Sequence, residues 1–428
     1  MRVIDFSHFV AGPYCTQILG DLGADVIKIE SPVHGDSFRI QPPEIGGESV
    51  PFMALNRNKR SVALDLTVAE GREAALALID EADVLVENFS TGVMQRLGLD
   101  YATVSARNPG LVYCSVSAAG REGPMASRLG FDPVYQAELG FIEINGHPDA
   151  PGVVSGAAIV DLTAAMMASN AIMAALLARV RLGKGQRIEV ALFDQAAQVV
   201  GFHGLEYLAT GKNPPRIGNR GTGVMPVGVY QTATGPIFLC CANDRTYRRL
   251  ALDVFGSSEL ADSAEYATNA QRSKNRVQLD EEIHRRLAVA SRDHWVDKMR
   301  AAGVPGGPVR TVEEAFSSKD MRERGLLSQI QHPSVGPVSN LAPSYRLSLT
   351  PVVDPVAAPT LGQHTDEVLA SVLGYDEERL AALARARGCD WTEWRRPYSV
   401  NGNCWMGANS PLGRRSSRLS KRTIPTHC

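Results

Sequence analysis

One carboxylate directly precedes a long uncharged stretch of this chain. Asp161 is followed by small and apolar residues, and no charged side chain comes after it until Arg179. One interpretation makes Asp161 a helix N-cap, whose oxygen accepts a backbone N–H from Thr163 or Ala164. The other gives it a chemical role. The two are compatible, because a helix N-terminus favours the ionised and therefore nucleophilic form of a partly desolvated carboxylate.

The stretch behind this acid has the length of a short membrane span. Residues 162–178 carry no formal charge, and a run of roughly 17 residues is near the lower limit for crossing a bilayer. Its many Ala, Ser, Asn and Thr residues do not favour lipid. We therefore expect a buried core helix and no contact with a membrane. Its small residues allow close packing on other elements, including across a subunit boundary.

Composition narrows the classes of function. The chain has 428 residues, of which 44% are hydrophobic and 21% charged, as in globular proteins large enough for two domains. A net charge of −2 argues against a general nucleic-acid binder. The seven cysteines have neither C-x-x-C spacing nor a histidine cluster, which predicts no metal site and no disulfide framework. We expect a cytoplasmic protein, since the N-terminus reads as a buried strand and not as a signal peptide.

The elements that must position Asp161 alternate between strand and helix. Residues 2–6, 13–23 and 24–30 read as a β-α-β unit, which favours a parallel sheet. The pattern continues with a helix over 70–82 and strands over 61–66, 83–89 and 111–118. The sequence therefore predicts an α/β fold whose large domain, within residues 1–200, holds a doubly wound parallel sheet.

The alternation stops near residue 216. Residues 216–228 contain too much Gly and Pro for the interior of a helix or strand, which predicts a mobile loop or hinge. Two β-like runs and helical patterns follow, and they predict a smaller α+β domain over residues 221–309.

The end of the chain differs from the rest. Residues 390–428 contain seven basic and two acidic residues and three of the four tryptophans, without periodicity. We expect an atypical, basic and disordered tail. It is either an interaction arm or the product of translation beyond the natural end or in a shifted frame, and we favour the second.

Several ordered motifs together resemble a known family. They are HFVAGPYCTQILGDLGADVIKIE, NRNKRSVALDL, VENFSTGVMQRLG, GFDPVYQ, the Asp161 segment, TGKNPPRIGNRGTG, GVPGGPV and LGQHTDEVL, spread over residues 1–388. This pattern is similar to that of the class III (CaiB/BaiF-type) CoA-transferases, whose family also contains the α-methylacyl-CoA racemases. The resemblance implies an interlaced, ring-like homodimer in which residues 310–389 complete the large, CoA-binding domain.

The resemblance also implies the chemistry. Asp161 falls where these transferases keep a nucleophilic aspartate, which passes CoA through a mixed anhydride and an aspartyl thioester without metal or ATP. Water must be excluded from such intermediates. Gly218, Gly221 and Gly223 lie where related enzymes have a glycine-containing lid, although a simple interdomain connector is the alternative. Arg216 or Arg220 pairs with a substrate carboxylate or remains a solvated surface charge.

Coenzyme A enters as an acyl-CoA substrate, with no tightly bound cofactor. By resemblance, its contacts are His8 and Phe9 near the adenine end, Val10 and Ala11 near the thioester, Leu64, Asp65, Leu66 and Thr67 along the nucleotide, and Asn88, Phe89, Ser90 and Arg96 along the pantetheine and phosphate path. The alternative for His8, Phe9 and Asn88 is that they satisfy strand ends or fill the core. Ser31 stands where some relatives carry a basic residue that contacts phosphate. Arg39 is a candidate substitute. Separately, Lys59 and Arg60 form a short basic pair that attracts phosphate or, as the alternative, lies in a solvated turn.

The residue at position 131, here Phe131, distinguishes the two activities of this family. Racemases carry a histidine base in the corresponding G-x-D motif, whereas this chain has an unreactive ring beside the substrate. The neighbouring Asp132 is expected to fix local structure. We therefore predict a CoA-transferase, with 2-methylacyl-CoA racemisation or a catalytically silent CoA-binding protein as the alternatives. The short glycine loop and the LGQHTDEVL ending favour succinyl-CoA and a second dicarboxylate, and His364 in that ending is expected to make a cap or domain contact.

Overall fold

A computed structural model describes residues 1–386 apart from residue 222, so the predicted tail over 390–428 lies outside the described residues. The strands are β1 (Arg2–Asp5), β2 (Asp25–Glu30), β3 (Glu44–Ile45), β4 (Glu48–Ser49), β5 (Lys59–Ala63), β6 (Val84–Glu87), β7 (Val112–Ser117), β8 (Arg187–Ala191), β9 (Val227–Gln231), β10 (Pro236–Cys240), β11 (Gly306–Pro308), β12 (Leu327–His332) and β13 (Gly336–Leu341).

The helices of the N-terminal half are α1 (Ala11–Asp21), α2 (Val50–Leu55), α3 (Ala69–Asp80), α4 (Val93–Leu97), α5 (Tyr101–Arg107), α6 (Asp132–Glu138), α7 (Phe141–Ile144), α8 (Ile159–Leu182), α9 (Leu192–Val199) and α10 (Gly201–Thr210). Those that follow are α11 (Asp244–Arg249), α12 (Ser258–Asp262), α13 (Asn269–Lys274), α14 (Arg276–Leu287), α15 (Arg292–Ala302), α16 (Val312–Phe316), α17 (Lys319–Glu323), α18 (Thr365–Leu373) and α19 (Glu377–Ala386).

The central sheet of the described chain has six parallel strands in the order β5-β2-β1-β6-β7-β8. This confirms the predicted α/β class and the doubly wound order. Strand β8 was not predicted, because its RIEVA sequence is short and places exposed Arg187 and Glu189 among apolar residues.

Helices cover both faces of this sheet. Alternate residues of each strand point to opposite faces, so Val84 and Val86 join the core under α1 and α8, whereas Leu85 joins the core under α3. Helices α18 and α19 complete that second face, where Val368 and Leu369 are fully buried. The C-terminal part of the chain therefore packs on the sheet that the N-terminal part builds.

His364 fastens this C-terminal part to the sheet. It precedes α18 without capping it, and its Nδ1 accepts the backbone N–H of Ser61 over 3.2 Å. The domain contact that we predicted for His364 is present, and the cap is not.

A third hydrophobic core lies within residues 225–304. Strands β9, β10 and β11 pair antiparallel, and α14 and α15 bury Ile283 and Trp295 against them. Elements β9 to β11 thus form an α+β layer of their own, while the domain boundaries at 221 and 309 remain predictions.

Helix α8 is buried along one face only. Ala164, Ala168 and Ile172 are buried, whereas Leu177 and Val180 on the other side are 61% and 83% exposed. In the described part of the chain it is the helix long and apolar enough to cross a membrane by length and composition. The prediction of a core helix holds for its buried face.

Candidate active site

The predicted CoA-binding loops meet where the sheet changes direction. Strand order reverses between β1 and β6, so the loops after these strands diverge and leave a crevice at their carboxyl ends, the usual ligand position in such sheets. The His8 N–H donates to Asn88 Oδ1 over 2.9 Å, and Asn88 Nδ2 donates to the His8 carbonyl over 2.8 Å. The ring of Phe89 lies 5.5 Å from that of His8. These hydrogen bonds join the two loops into one wall.

Phe9 forms the tip of the first loop in an unusual conformation. Its φ is +65°, and in the described chain Asn58 is the other non-glycine residue with positive φ. The Phe9 N–H donates to Asp36 Oδ1 over 3.1 Å. Its ring meets Phe38 and Phe131 edge to face, with centroids 5.8 and 5.7 Å away. Phe131 therefore lies beside the loop with which the resemblance associates it.

The remaining predicted CoA contacts differ in exposure. Leu64 and Ala11 are buried in the hydrophobic cores, so their side chains contribute to packing. The side chain of Asp65 accepts the N–H and hydroxyl of Thr67 and shapes the turn after β5. The other positions are half-buried or exposed around the same edge of the sheet, namely Val10, Leu66, Ser90 and Arg96.

Asp161 is not the N-cap of α8. It is the third residue of this helix, the cap position belongs to Ala158, and no side chain of α8's own N-terminus caps it. Asp132 of α6 performs that role, since its Oδ2 accepts the N–H groups of Val160 over 2.6 Å and Asp161 over 3.1 Å. Gln136 donates to the other Asp132 oxygen. A residue from another helix thus satisfies the helix donors and leaves the Asp161 carboxylate available.

Electrostatics at Asp161 also differ from the expectation. Burial and the nearby charge of Asp132 raise the pKa of Asp161 from 3.8 to about 7. The helix N-terminus does not offset the cost of desolvating this carboxylate. At neutral pH an appreciable fraction is ionised, and a carboxylate of higher basicity is the stronger nucleophile.

The proposed phosphate-binding cations are engaged elsewhere. Lys59 is fully buried and lies 3.0 Å from Asp5, and Arg60 pairs with Asp25 at 2.6 Å. The hypothesis that this pair attracts phosphate is therefore wrong, because Lys59 neutralises an acid of β1 and Arg60 an acid of β2.

Arg39 is likewise occupied. Two of its nitrogens donate to Glu30, each over 2.7 Å, and its guanidinium lies over the ring of Phe52, 3.7 Å from the centroid. Burial alone would raise the pKa of Glu30, but the charge and hydrogen bonds of Arg39, together with the charge of Lys28 and the Ser61 hydroxyl, outweigh it and lower the value to about 2. Arg39 therefore does not replace the basic residue absent at Ser31.

A buried ion pair lies under the Phe9 loop, and sequence reasoning missed it. Lys28 Nζ is 2.9 Å from Asp36 Oδ2 and donates to the Ser7 carbonyl over 2.6 Å. Both side chains are fully buried. The available signal was a lysine inside an apolar strand followed by an acid in the next loop.

The glycines of the predicted lid serve local packing in two of three cases. Gly218 has a φ of +62°, and a β-carbon there would lie 2.7 Å from His147 Nδ1. A β-carbon at Gly221 would lie 2.6 Å from Val227, whereas Gly223 faces open space. Arg216 pairs with Glu143 at 2.6 Å. The first part of this loop is therefore packed on residues near α7.

A large apolar groove lies apart from these loops. It measures about 1010 Å³ and runs between α1, α8 and the β12–β13 hairpin, with Met166, Met173 and Tyr345 in its lining. Asp161 does not line it. Apart from the apolar residues of α8, no sequence pattern predicted this groove.

Metal-ligand clusters and reactive thiols do not enter this site. Among residues 1–386 without residue 222, no three His, Cys, Asp or Glu side chains come together as metal ligands. Cys15 and Cys114 are buried free thiols, and burial raises the pKa of both.

Comparison with known proteins identifies the family. The sequence pattern of CoA-transferase family III matches residues 1–365. The chain belongs to this family. The transferase is 34% identical over 379 residues to a succinate–glutarate CoA-transferase of Agrobacterium fabrum, covering 87% of this chain and 94% of the relative. It is 39% identical over 328 residues to an acetyl-CoA:oxalate CoA-transferase of Acetobacter aceti, covering 76% and 84% of the two chains.

A solved structure has the same fold. The crystal structure of a CaiB/BaiF family protein from Brucella suis aligns with a TM-score of 0.79 and 35% identity, covering 87% of this chain and 98% of the other. The transferase is thus an enzyme that uses CoA thioesters as substrates, as the resemblance implied.

Proposed function

We propose that the transferase moves CoA covalently through Asp161. An Asp161 oxygen attacks the thioester carbonyl of the donor, the C–S bond breaks, and an acyl-aspartyl anhydride and CoA thiolate form. The thiolate then attacks the aspartyl carbonyl and releases the donor acid, which leaves an aspartyl-CoA thioester. The acceptor carboxylate repeats these steps in reverse order and leaves as the new acyl-CoA.

The observation that carries this proposal is the state of Asp161. It is held at the start of α8 by hydrogen bonds that Asp132 accepts from the backbone, so its own carboxylate is not used as the cap. Burial and Asp132 keep the pKa of Asp161 near 7, which suits a group that must attack as an anion and leave as a carboxylate at neutral pH.

For the substrates we propose succinyl-CoA as donor and a dicarboxylate such as glutarate as acceptor. The Agrobacterium relative is named for succinate and glutarate, and a Chloroflexus aurantiacus relative, 34% identical over 395 residues, is named a succinyl-CoA–D-citramalate CoA-transferase. The proposed CoA contacts are the loops that carry His8, Phe9, Asn88 and Phe89.

The test compares two aspartates in the same helical position. Asp161→Asn should lower the rate of succinyl-CoA:glutarate transfer by about 10³-fold or more, since an amide is a poor nucleophile. Asp194 is also the third residue of its helix, α9, but it is exposed, so Asp194→Asn should keep wild-type turnover. Comparable turnover in both variants would remove Asp161 as nucleophile.

We also propose that the transferase is a homodimer, with domains over residues 1–200 plus 310–389 and over 221–309. Helix α10 exposes Phe202, Leu205 and Leu208 by 68–77%, an apolar surface that a second subunit would cover. Phe202→Asp should shift sedimentation equilibrium toward monomer. The matched change Val277→Asp, at a 65% exposed position of α14, should not. The cytoplasmic location stays a prediction.

A further inference from the structure

The Phe9 turn holds a backbone conformation that its sequence disfavours. For an L-residue other than glycine, the left-handed region is disfavoured by about five- to thirtyfold, and Phe9 adopts it with a φ of +65°. Such conformations persist only when the surrounding structure imposes them, and they cluster at functional sites. The residues that impose this one can be named.

Asp36 and Lys28 fix the turn from beneath. Asp36 Oδ1 accepts the N–H of Phe9 over 3.1 Å and that of Phe38 over 3.0 Å. Lys28 Nζ lies 2.9 Å from Asp36 Oδ2 and donates to the carbonyl of Ser7 over 2.6 Å. One ion pair therefore holds the turn on both sides of His8.

The burial of this pair argues against a role in stability alone. Neither side chain is exposed, and a fully desolvated ion pair stabilises a fold no better than a well-packed apolar pair of the same size. The pair instead fixes the backbone conformation of the turn, because a carboxylate oxygen can accept a backbone N–H that an apolar side chain would leave unsatisfied.

The turn also contacts the residues that position the nucleophile. The ring of Phe9 lies 5.7 Å from that of Phe131, and the next residue, Asp132, accepts the N–H groups of Val160 and Asp161. The conformation of Phe9 thus determines where its ring lies beside Phe131, close to the start of α8.

We propose that Lys28 and Asp36 are positioning residues of the CoA site, which hold the Phe9 turn in its left-handed conformation so that the loop after β1 is preformed for the thioester substrate. This inference rests on the proposed function, since it assigns that loop to CoA. It adds two residues that do not themselves contact the substrate.

The test uses the difference between glycine and alanine at position 9. Glycine adopts positive φ without strain, whereas alanine does not, and both lack the aromatic ring. The pair is replaced by Lys28→Met with Asp36→Ala, which leaves no lone buried charge, in the Phe9, Phe9→Ala and Phe9→Gly backgrounds. Calorimetry then measures the affinity of each full-length protein for free coenzyme A.

We expect replacement of the pair to weaken CoA binding about tenfold or more with Phe9 or alanine at position 9, and by about twofold or less with glycine. A difference of at least about fivefold between the glycine and alanine backgrounds supports the inference, because independent sites would give equal losses. Equal losses in all three backgrounds would overturn it.

Two controls keep the outcome decisive. If chemical denaturation shows that the doubly replaced protein is not folded, Lys28→Met with Asp36→Leu, which fills more of the buried volume and still removes the acceptor, takes its place in the same three backgrounds and is judged by the same fivefold difference. Failure of the unaltered protein to bind free coenzyme A would instead contradict the proposed function. A wild-type protein that binds CoA while the backgrounds lose affinity equally contradicts only the positioning role.

Discussion

Two carboxylates beside the central sheet, Glu30, which is buried, and Asp161, which is half-buried, have opposite surroundings. Glu30, at the end of β2, receives two hydrogen bonds from Arg39 and one from the Ser61 hydroxyl, and its pKa falls to about 2. Asp161 faces another carboxylate, that of Asp132, and its pKa rises to about 7. The charge of Glu30 is balanced by hydrogen-bond donors and so stabilises the folded protein. The charge of Asp161 has a like charge beside it and does not. Such a costly position is typical of a reacting group.

The largest expected change in folding stability comes from replacing Glu30. Glu30→Gln leaves Arg39 buried beside a neutral partner, and loss of one member of a buried ion pair typically costs about 3–5 kcal/mol of folding free energy. We expect a loss of about 3 kcal/mol by urea denaturation at pH 7. A loss below about 1 kcal/mol would mean that Glu30 is not the structural member of this comparison.

The same acid predicts how stability depends on pH. The pKa of Glu30 is lowered from 4.5 to about 2, so its contribution is complete above the unfolded value and is lost as the pH falls through about 2. Between pH 5 and pH 3 the free energy of unfolding should therefore fall more steeply for the wild type than for Glu30→Gln. Parallel curves would contradict the assigned ion pair.

A change at Asp161 should have the opposite sign. With a folded-state pKa raised from 3.8 to about 7, the side chain costs no stability below about pH 4, costs progressively more as the pH rises toward 7, and reaches its full cost above pH 7. Because the side chain is partly exposed, we expect Asp161→Asn to raise the free energy of unfolding by only about 2 kcal/mol at pH 8. At pH 4 the gain should vanish. Asp194→Asn serves as the control and should change neither value.

The smallest expected effect concerns Asp132. Activity needs the ionised Asp161, so kcat/KM should rise with pH and level off above about 7. Asp132→Asn removes the like charge and should shift the midpoint of this rise about one pH unit lower. Besides the shift, weaker capping should lower the plateau. A lower plateau with an unchanged midpoint would leave Asp132 a purely structural role.

The sheet and its loops were accessible from sequence because their signals are local. Apolar runs with β-α-β spacing predict parallel strands, and the reversal of strand order then brings His8 and Asn88 together. The pairing of charges was not accessible in this way. Lys59 and Arg60 read as a basic surface pair, yet parallel pairing of β1, β2 and β5 puts them against Asp5 and Asp25.

The role of Asp161 shows the same limit. Sequence spacing favoured a cap, since an acid before an apolar run is typical of a helix start. The cap comes instead from Asp132, 29 residues earlier in the chain, and only the packing of α6 on α8 places it there. The local pattern therefore mispredicted the cap, and the nucleophilic role that the family resemblance implies for Asp161 stays a proposal.

The most direct test of the account is to trap the intermediate. The protein is mixed with succinyl-CoA, quenched with hydroxylamine or borohydride, and examined by intact-mass spectrometry with peptide mapping. We predict one modification, confined to Asp161 and absent from Asp194. Full transfer of CoA to glutarate with Asp161 unmodified, or with the modification on another carboxylate, would contradict the account.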